Sequence, residues 1–122
     1  MRILVVDDDA MAAELAGAVI EEMGHEAVLA GDAGEARARL EDGPGFDAIV
    51  SDMHMPDESG LDLFGWLGRA GRAVPFILLT GDDPEAFRQR EPGLAACLLK
   101  DFTLEETLPQ VLGAVLGGRD GS

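Results

Sequence analysis

Asp7, Asp8 and Asp9 follow the apolar run RILVV directly, and Asp52 comes two residues after the run FDAIV. Thr80 closes the run VPFILL ahead of Gly81, Asp82 and Asp83, and Lys100 closes LAACLL. Carboxylates at close range raise one another's pKa, and partial burial adds to the effect, so such a cluster calls for a cation. Hard oxygen donors without a His or Cys set point to Mg²⁺, which takes one or two carboxylates and keeps waters and phosphate oxygens around it. Asp52 as acceptor carboxylate, Thr80 as hydroxyl donor and Lys100 as point cation then suggest a phosphoryl site. Each residue also has a plainer reading. Acids suit a helix N-terminus, Asp52 and Thr80 suit turn positions before Pro56 and Gly81, and a lysine suits any surface. Their joint placement at the ends of apolar runs favours the phosphoryl site.

The elements that must position these residues are legible as runs and periods. Residues 2–6, 26–30, 46–50, 74–79 and 94–99 are rich in Val, Ile and Leu, are bounded by Gly, Asp or Pro, and are expected to be strands. Helical spacing links Met11, Leu15, Val19 and Ile20, then Ala33, Ala36 and Leu40, then Leu61, Phe64 and Leu67. Leu104, Leu108, Val111, Leu112 and Val115 repeat it in a last helix, which opens with a capping-box pattern from Thr103 to Glu106. Pro109 is expected to bend that helix or shift its start. A shorter helix, roughly 84–91, has Asp83 as N-cap, Pro84 at its first position and Pro92-Gly93 as its stop. Phe87 is its only large apolar residue, so it is expected to be the most loosely held. Ser59 is expected to cap the third helix.

Strict β and α alternation with near-continuous apolar strands predicts an α/β fold, a five-stranded parallel sheet covered by helices on both faces. In open sheets of this kind the ligand crevice lies beyond the C-terminal strand ends, where the strand order reverses. With the order 2-1-3-4-5 that crevice lies between the first and third strands, so Asp7, Asp8 and Asp52 converge there.

At 122 residues and 47% hydrophobic content the chain is expected to be one domain over 1–118, with a disordered tail at 119–122. Its 24 acidic and 9 basic residues give a net charge of −15, which argues against direct binding to nucleic acid or an anionic membrane and favours cations. Cys97, the single cysteine, excludes an internal disulfide, and with no signal segment or long apolar stretch the cytoplasm fits best. A cysteine in an apolar strand reads as a small buried hydrophobe. Trp66 reads as a partly buried helix residue.

VVDDD, the pattern D-x-x-M-P-x-x-x-G at Asp52, Met55, Pro56 and Gly60, LLTG with Thr80 and LLKDF with Lys100 together resemble the response-regulator receiver domain of two-component signalling. The resemblance runs from Ile3 to about Leu116 and implies the flavodoxin-like (βα)5 three-layer sandwich. It implies a regulatory phosphoacceptor rather than an enzyme, one that assists only its own phosphorylation and dephosphorylation. Asp52 would take a phosphoryl group from a histidine kinase or a histidine phosphotransfer protein. Asp8, Asp52 and the backbone carbonyl of His54 would hold Mg²⁺, with Asp7 acting through a bound water. Lys100 would pair with Asp52 and then with a phosphate oxygen, Thr80 would donate its hydroxyl, and Gly81 would leave room. His54 and Asp82 stand where side chains tune the lifetime of the acyl phosphate. The face of the fourth helix, fifth strand and fifth helix would carry a homodimer, output-domain or partner contact.

The chain departs from that pattern at three places. Cys97 replaces the usual aromatic switch, Asp101 replaces the usual proline after the lysine and predicts a trans or visibly strained bond there, and Glu58 replaces an apolar residue, predicting a more exposed loop. Two rivals follow from the same residues: a receiver-like module that binds constitutively without phosphorylation, and a haloacid-dehalogenase-like phosphatase suggested by the D-x-D pair Asp7 and Asp9. In those phosphatases the lysine precedes the late acidic pair, whereas Lys100 follows Asp82 and Asp83.

Overall fold

The computed structural model describes residues 1–42, 45–101 and 103–119. Strands β1 (Arg2–Val6), β2 (Glu26–Ala30), β3 (Ala48–Asp52), β4 (Phe76–Thr80) and β5 (Ala96–Leu99) alternate with helices α1 (Ala10–Glu22), α2 (Ala33–Glu41), α3 (Gly60–Arg69), α4 (Pro84–Arg90) and α5 (Leu104–Arg119). All strand pairs are parallel, in the order β2-β1-β3-β4-β5. Successive strand side chains point to opposite faces. Ile3, Val5, Val50 and Ile77 accordingly pack with Ala16 and Ile20 of α1 and Leu108 and Leu112 of α5. Leu4, Val6, Ile49 and Leu78 pack with Leu40 of α2, Leu63 of α3 and, less deeply, Phe87 of α4. This is the three-layer flavodoxin-like sandwich.

Three strands are displaced from their apolar runs. β3 begins two residues after Phe46 and ends on Asp52 itself, β4 begins at Phe76, and β5 at Ala96. Apolar side chains are buried beyond the ladder, as Phe46 and Leu94 show. Main-chain pairing also extends through the polar Ser51, Asp52 and Thr80, because backbone hydrogen bonds are indifferent to the side chain.

The α1 stripe is also corrected. Ala13, Ala16, Gly17 and Ile20 face the sheet, whereas Met11 and Leu15 are 73% and 56% exposed. Small residues let the helix lie close: a Cβ on Gly17 would come 3.3 Å from Leu29. The larger side chains are left to the flank.

Asp9 caps α1, Asp83 caps α4, and Ser59 caps α3 in a reciprocal box with Asp62. The box expected at Thr103 is absent. The Asp101 carboxylate accepts both the Thr103 amide and hydroxyl, so that hydroxyl donates to Asp101 instead of accepting from Glu106. Hydrogen bonding to Thr103 holds the Asp101 carboxyl below its usual range. α5 runs through Pro109 with its start unshifted, the missing N–H costing only the partner of Glu105 in the first turn. α4 has no buried residue. The helical end at Arg119 takes in the first residue of the expected tail, and 120–122 lie outside the described residues.

Gly60 fixes the exit from β3. A Cβ there would stand 2.5 Å from the Asp52 carbonyl oxygen and 2.7 Å from Leu78. Backbone cannot yield as a flexible side-chain end can, so Gly60→Ala is expected to cost about 1–3 kcal/mol by urea unfolding.

Candidate functional site

The C-terminal ends of β1, β3, β4 and β5 bring five of the singled-out residues together. Asp7 extends β1 by donating its amide to the Ala30 carbonyl at 3.0 Å, and it is 4% exposed. Asp52, 7% exposed, stands beside Leu79 across the β3–β4 ladder, and Thr80, fully buried, stands beside Leu99 across β4–β5. Lys100 continues the ladder by donating its amide to the Thr80 carbonyl at 2.7 Å. Carboxylate oxygens of Asp7, Asp8 and Asp52 all lie within 4.8 Å of one another, with Asp8 exposed. That hard-oxygen set fits a small divalent cation such as Mg²⁺.

Lys100, the chain's single lysine, bridges two acids. Its Nζ is 2.7 Å from Asp7 Oδ2 and 3.2 Å from Asp52 Oδ2. The contact with Asp52 is the expected one; the nearer contact with Asp7 has no sequence signal, because it depends on Asp7 lying deeper than Asp8. Burial by itself would lower the Lys100 pKa, but the hydrogen bond to Asp7 and the charges of Asp52 and Asp7 outweigh it, and the ammonium sits above its ordinary value. Burial pushes the Asp52 carboxyl up, Lys100 pulls it down and Asp7 pushes it up again. With the backbone amide of His54 also lowering it, Asp52 still ends above the usual aspartate value.

The three consecutive aspartates do three different things. Asp7 Oδ1 accepts the Asp9 amide at 2.9 Å, which orients the carboxylate. Asp8 joins the cluster from solvent. The Asp9 carboxylate accepts the amides of Met11 and Ala12 as the N-cap of α1. The helix-terminus reading thus holds for Asp9 alone, and the Asp7 and Asp9 pair needed by the phosphatase rival is split between two tasks.

Thr80 Oγ1 accepts the Asp82 amide at 3.0 Å, and a Cβ on Gly81 would meet no atom within 4 Å. The side chains of His54 and Asp82 are exposed. Cys97 is buried in the layer beneath α2, α3 and α4, with its thiol pushed up by burial. The Lys100–Asp101 peptide is trans. In the loop expected to be more exposed, His54, Pro56 and Asp57 are exposed, while Glu58 is half-buried in a pair with Arg37 of α2. Trp66 is half-buried, and Phe102 of the LLKDF motif lies outside the described residues.

Residues 3–112 match the model of the response regulator receiver domain. The chain belongs to that family. It is 30% identical to chemotaxis protein CheY1 of Helicobacter pylori, over 98% of this chain and all of that protein. It is 34% identical to a stretch of the sensor histidine kinase AruS of Pseudomonas aeruginosa, over 94% of this chain but 12% of the kinase. The probable transcriptional regulatory protein TcrX of Mycobacterium tuberculosis is 34% identical, over 88% of this chain and 47% of that protein. The crystal structure of response regulator TrrA of Thermotoga maritima, in complex with Mg²⁺-BeF, superposes with a TM-score of 0.82 at 27% identity, over 93% and 97% of the two chains. The receiver domain is thus a two-component signalling module whose relatives range from one of its own length to proteins many times longer. Among the described residues no helix is long and apolar enough to cross a membrane.

A carboxyl whose folded pKa is raised costs stability when ionised. That cost is full above the folded pKa and fades as pH falls through it toward the unfolded value. Asp52→Asn is therefore expected to raise the Tm of the metal-free receiver domain at neutral pH, and the gain to shrink as the solution is acidified.

Proposed function

We propose that this receiver domain accepts a phosphoryl group from a phosphohistidine onto Asp52, with Mg²⁺, and thereby switches a partner or output surface. The observation that carries this reading is the Asp7, Asp8 and Asp52 cluster with Lys100 bridging its two buried members. That TrrA is similar and was obtained with Mg²⁺-BeF supports it. The Asp52 carboxylate attacks phosphorus, the P–N bond breaks, and its electron pair leaves with the imidazole of the histidine kinase or phosphotransfer protein. Burial leaves Asp52 poorly solvated and more basic, which suits a nucleophile. Lys100 moves from Asp52 to a phosphoryl oxygen while keeping Asp7. Thr80 donates its hydroxyl proton to another, and Gly81 adds no side chain that would obstruct it. Asp8, Asp52 and the His54 carbonyl would hold the metal, with Asp7 acting through a water, and the His54 and Asp82 side chains would tune the lifetime. The bound cation supplies positive charge to the crowded acids and the transferring group.

Cys97 leaves no ring to turn, so the signal takes a main-chain route. Thr80 Oγ1 holds the amide of Asp82, the neighbour of the α4 N-cap Asp83. A Thr80 hydroxyl drawn to phosphate pulls on the start of a helix with no buried residue. The face of α4, β5 and α5 then carries the homodimer, output or partner contact.

With Mg²⁺ and acetyl phosphate, mass spectrometry should find one added phosphate, lost in Asp52→Asn. Metal binding without an adduct would favour a constitutive binding module. Phosphate release from unrelated monoesters that survives Asp52→Asn but not Asp7→Asn would favour a phosphatase.

Leu15, 56% exposed, borders an apolar groove between α1 and α5 that reaches Lys100, which makes this flank the docking side we propose for a protein donor. Leu15→Asp is expected to slow transfer from the cognate phosphohistidine protein about tenfold or more. Labelling by acetyl phosphate should be unchanged.

A further inference from the structure

The loop between β3 and α3 is tied to α2 by contacts that the phosphoryl chemistry does not use. Asp57 Oδ1 accepts the amides of Ala33 at 3.2 Å and of its own neighbour Glu58 at 2.8 Å, and Oδ2 accepts the amide of Gly34 at 3.0 Å. Ala33 and Gly34 are the first two residues of α2, whose own N-cap, Asp32, reaches only the Glu35 amide. An acid 23 and 24 positions along the chain therefore satisfies the two helix-end donors that the local cap leaves over. Desolvation pushes the Asp57 carboxyl up, but the amides of Gly34, Ala33 and Glu58 together outweigh it and hold it below the usual range. One residue on, Glu58 pairs with Arg37, a turn further along α2.

The tether grips the loop at its middle, while Gly60 and the Ser59–Asp62 box hold its far end. Its near end carries His54, whose backbone amide addresses Asp52. On the proposed reading the carbonyl of that same residue holds Mg²⁺. Only Met55 and Pro56 separate His54 from Asp57, so the path of the loop at Asp57 limits where the His54 carbonyl can go.

We infer that Asp57 is a positioning residue, which holds the loop after Asp52 in its metal-binding path by anchoring it to the N-terminus of α2. The inference rests on the metal site proposed above. Coupling between two sites is reciprocal, so metal binding tightens the contact with α2 by the same factor by which that contact tightens metal binding. α2 thereby becomes a second element that senses the state of the site, apart from the face of α4, β5 and α5.

The test measures Mg²⁺ affinity by calorimetry and amide exchange by NMR in the wild type, Asp57→Ala, Asp57→Asn and Asp32→Ala. Asp32→Ala also removes a cap from α2 but leaves the Asp57 contacts with Ala33 and Gly34 in place, and so reports helix stability alone. Asp57→Ala is expected to weaken Mg²⁺ binding about tenfold, at the lower end of effects for groups that orient metal ligands. Asp57→Asn, which keeps one acceptor oxygen, should recover part of this, and Asp32→Ala should lower the Tm without changing Mg²⁺ affinity. In the wild type, Mg²⁺ should slow exchange at Ala33 and Gly34. Unchanged affinity in Asp57→Ala, or an equal loss in Asp32→Ala, would overturn the inference while the metal site stands. A wild type that binds no Mg²⁺ would overturn both.

Discussion

Crowded negative charge at one edge of the sheet is the constraint on which the structure turns. Two carboxylates whose oxygens lie within 4.8 Å repel by roughly 3 kcal/mol at an effective dielectric constant of 20. Asp7 and Asp52 make one such pair, to which the exposed Asp8 adds two that water screens, and against them the chain sets its one lysine. Two buried acids share that ammonium, and the third lies in water. The protein is left with an excess of negative charge at the point where β1 and β3 part, an excess that a bound cation would offset.

Holding like charges together requires rigid supports, and these come from main chain more than from side chains. Asp7 hangs from the β1–β2 ladder and is turned by the Asp9 amide. Asp52 and Thr80 are strand residues in their own right, and the Lys100 amide is pinned to Thr80. The helices around the edge differ in how firmly they are held. α1 lies close through Ala13, Ala16 and Gly17, whereas α4 rests on Phe87 with no buried residue. The edge thus has one closely packed wall and one lightly packed one.

Fold and strand order were legible because runs of Val, Ile and Leu separated by helical periods leave few alternatives, and the convergence of Asp7, Asp8, Asp52, Thr80 and Lys100 follows from the crevice rule. Local caps at Ser59 and Asp83 were legible for the same reason: their partners are near in sequence. The misses were contacts set by tertiary depth. Met11 and Leu15 looked like a core stripe, but the smaller Ala13, Ala16 and Gly17 compete for the same sheet and pack closer. The Thr103 box lost to Asp101, and Asp57 and Glu58 gave no sign that their partners lay on α2, more than twenty residues back.

The run Asp7-Asp8-Asp9 is uniform in composition and divided in office. A carboxylate suits the first position, where a buried oxygen meets the Lys100 ammonium at 2.7 Å. At the third, any short side chain with an acceptor oxygen would serve, since Ser, Thr or Asn caps a helix about as well as Asp. Drift among homologous sequences should therefore be unequal within the triplet, with the last aspartate free to change its identity while its neighbours keep theirs. A deletion of one residue would leave two aspartates at the first two positions and put Ala10 where the cap of α1 stands.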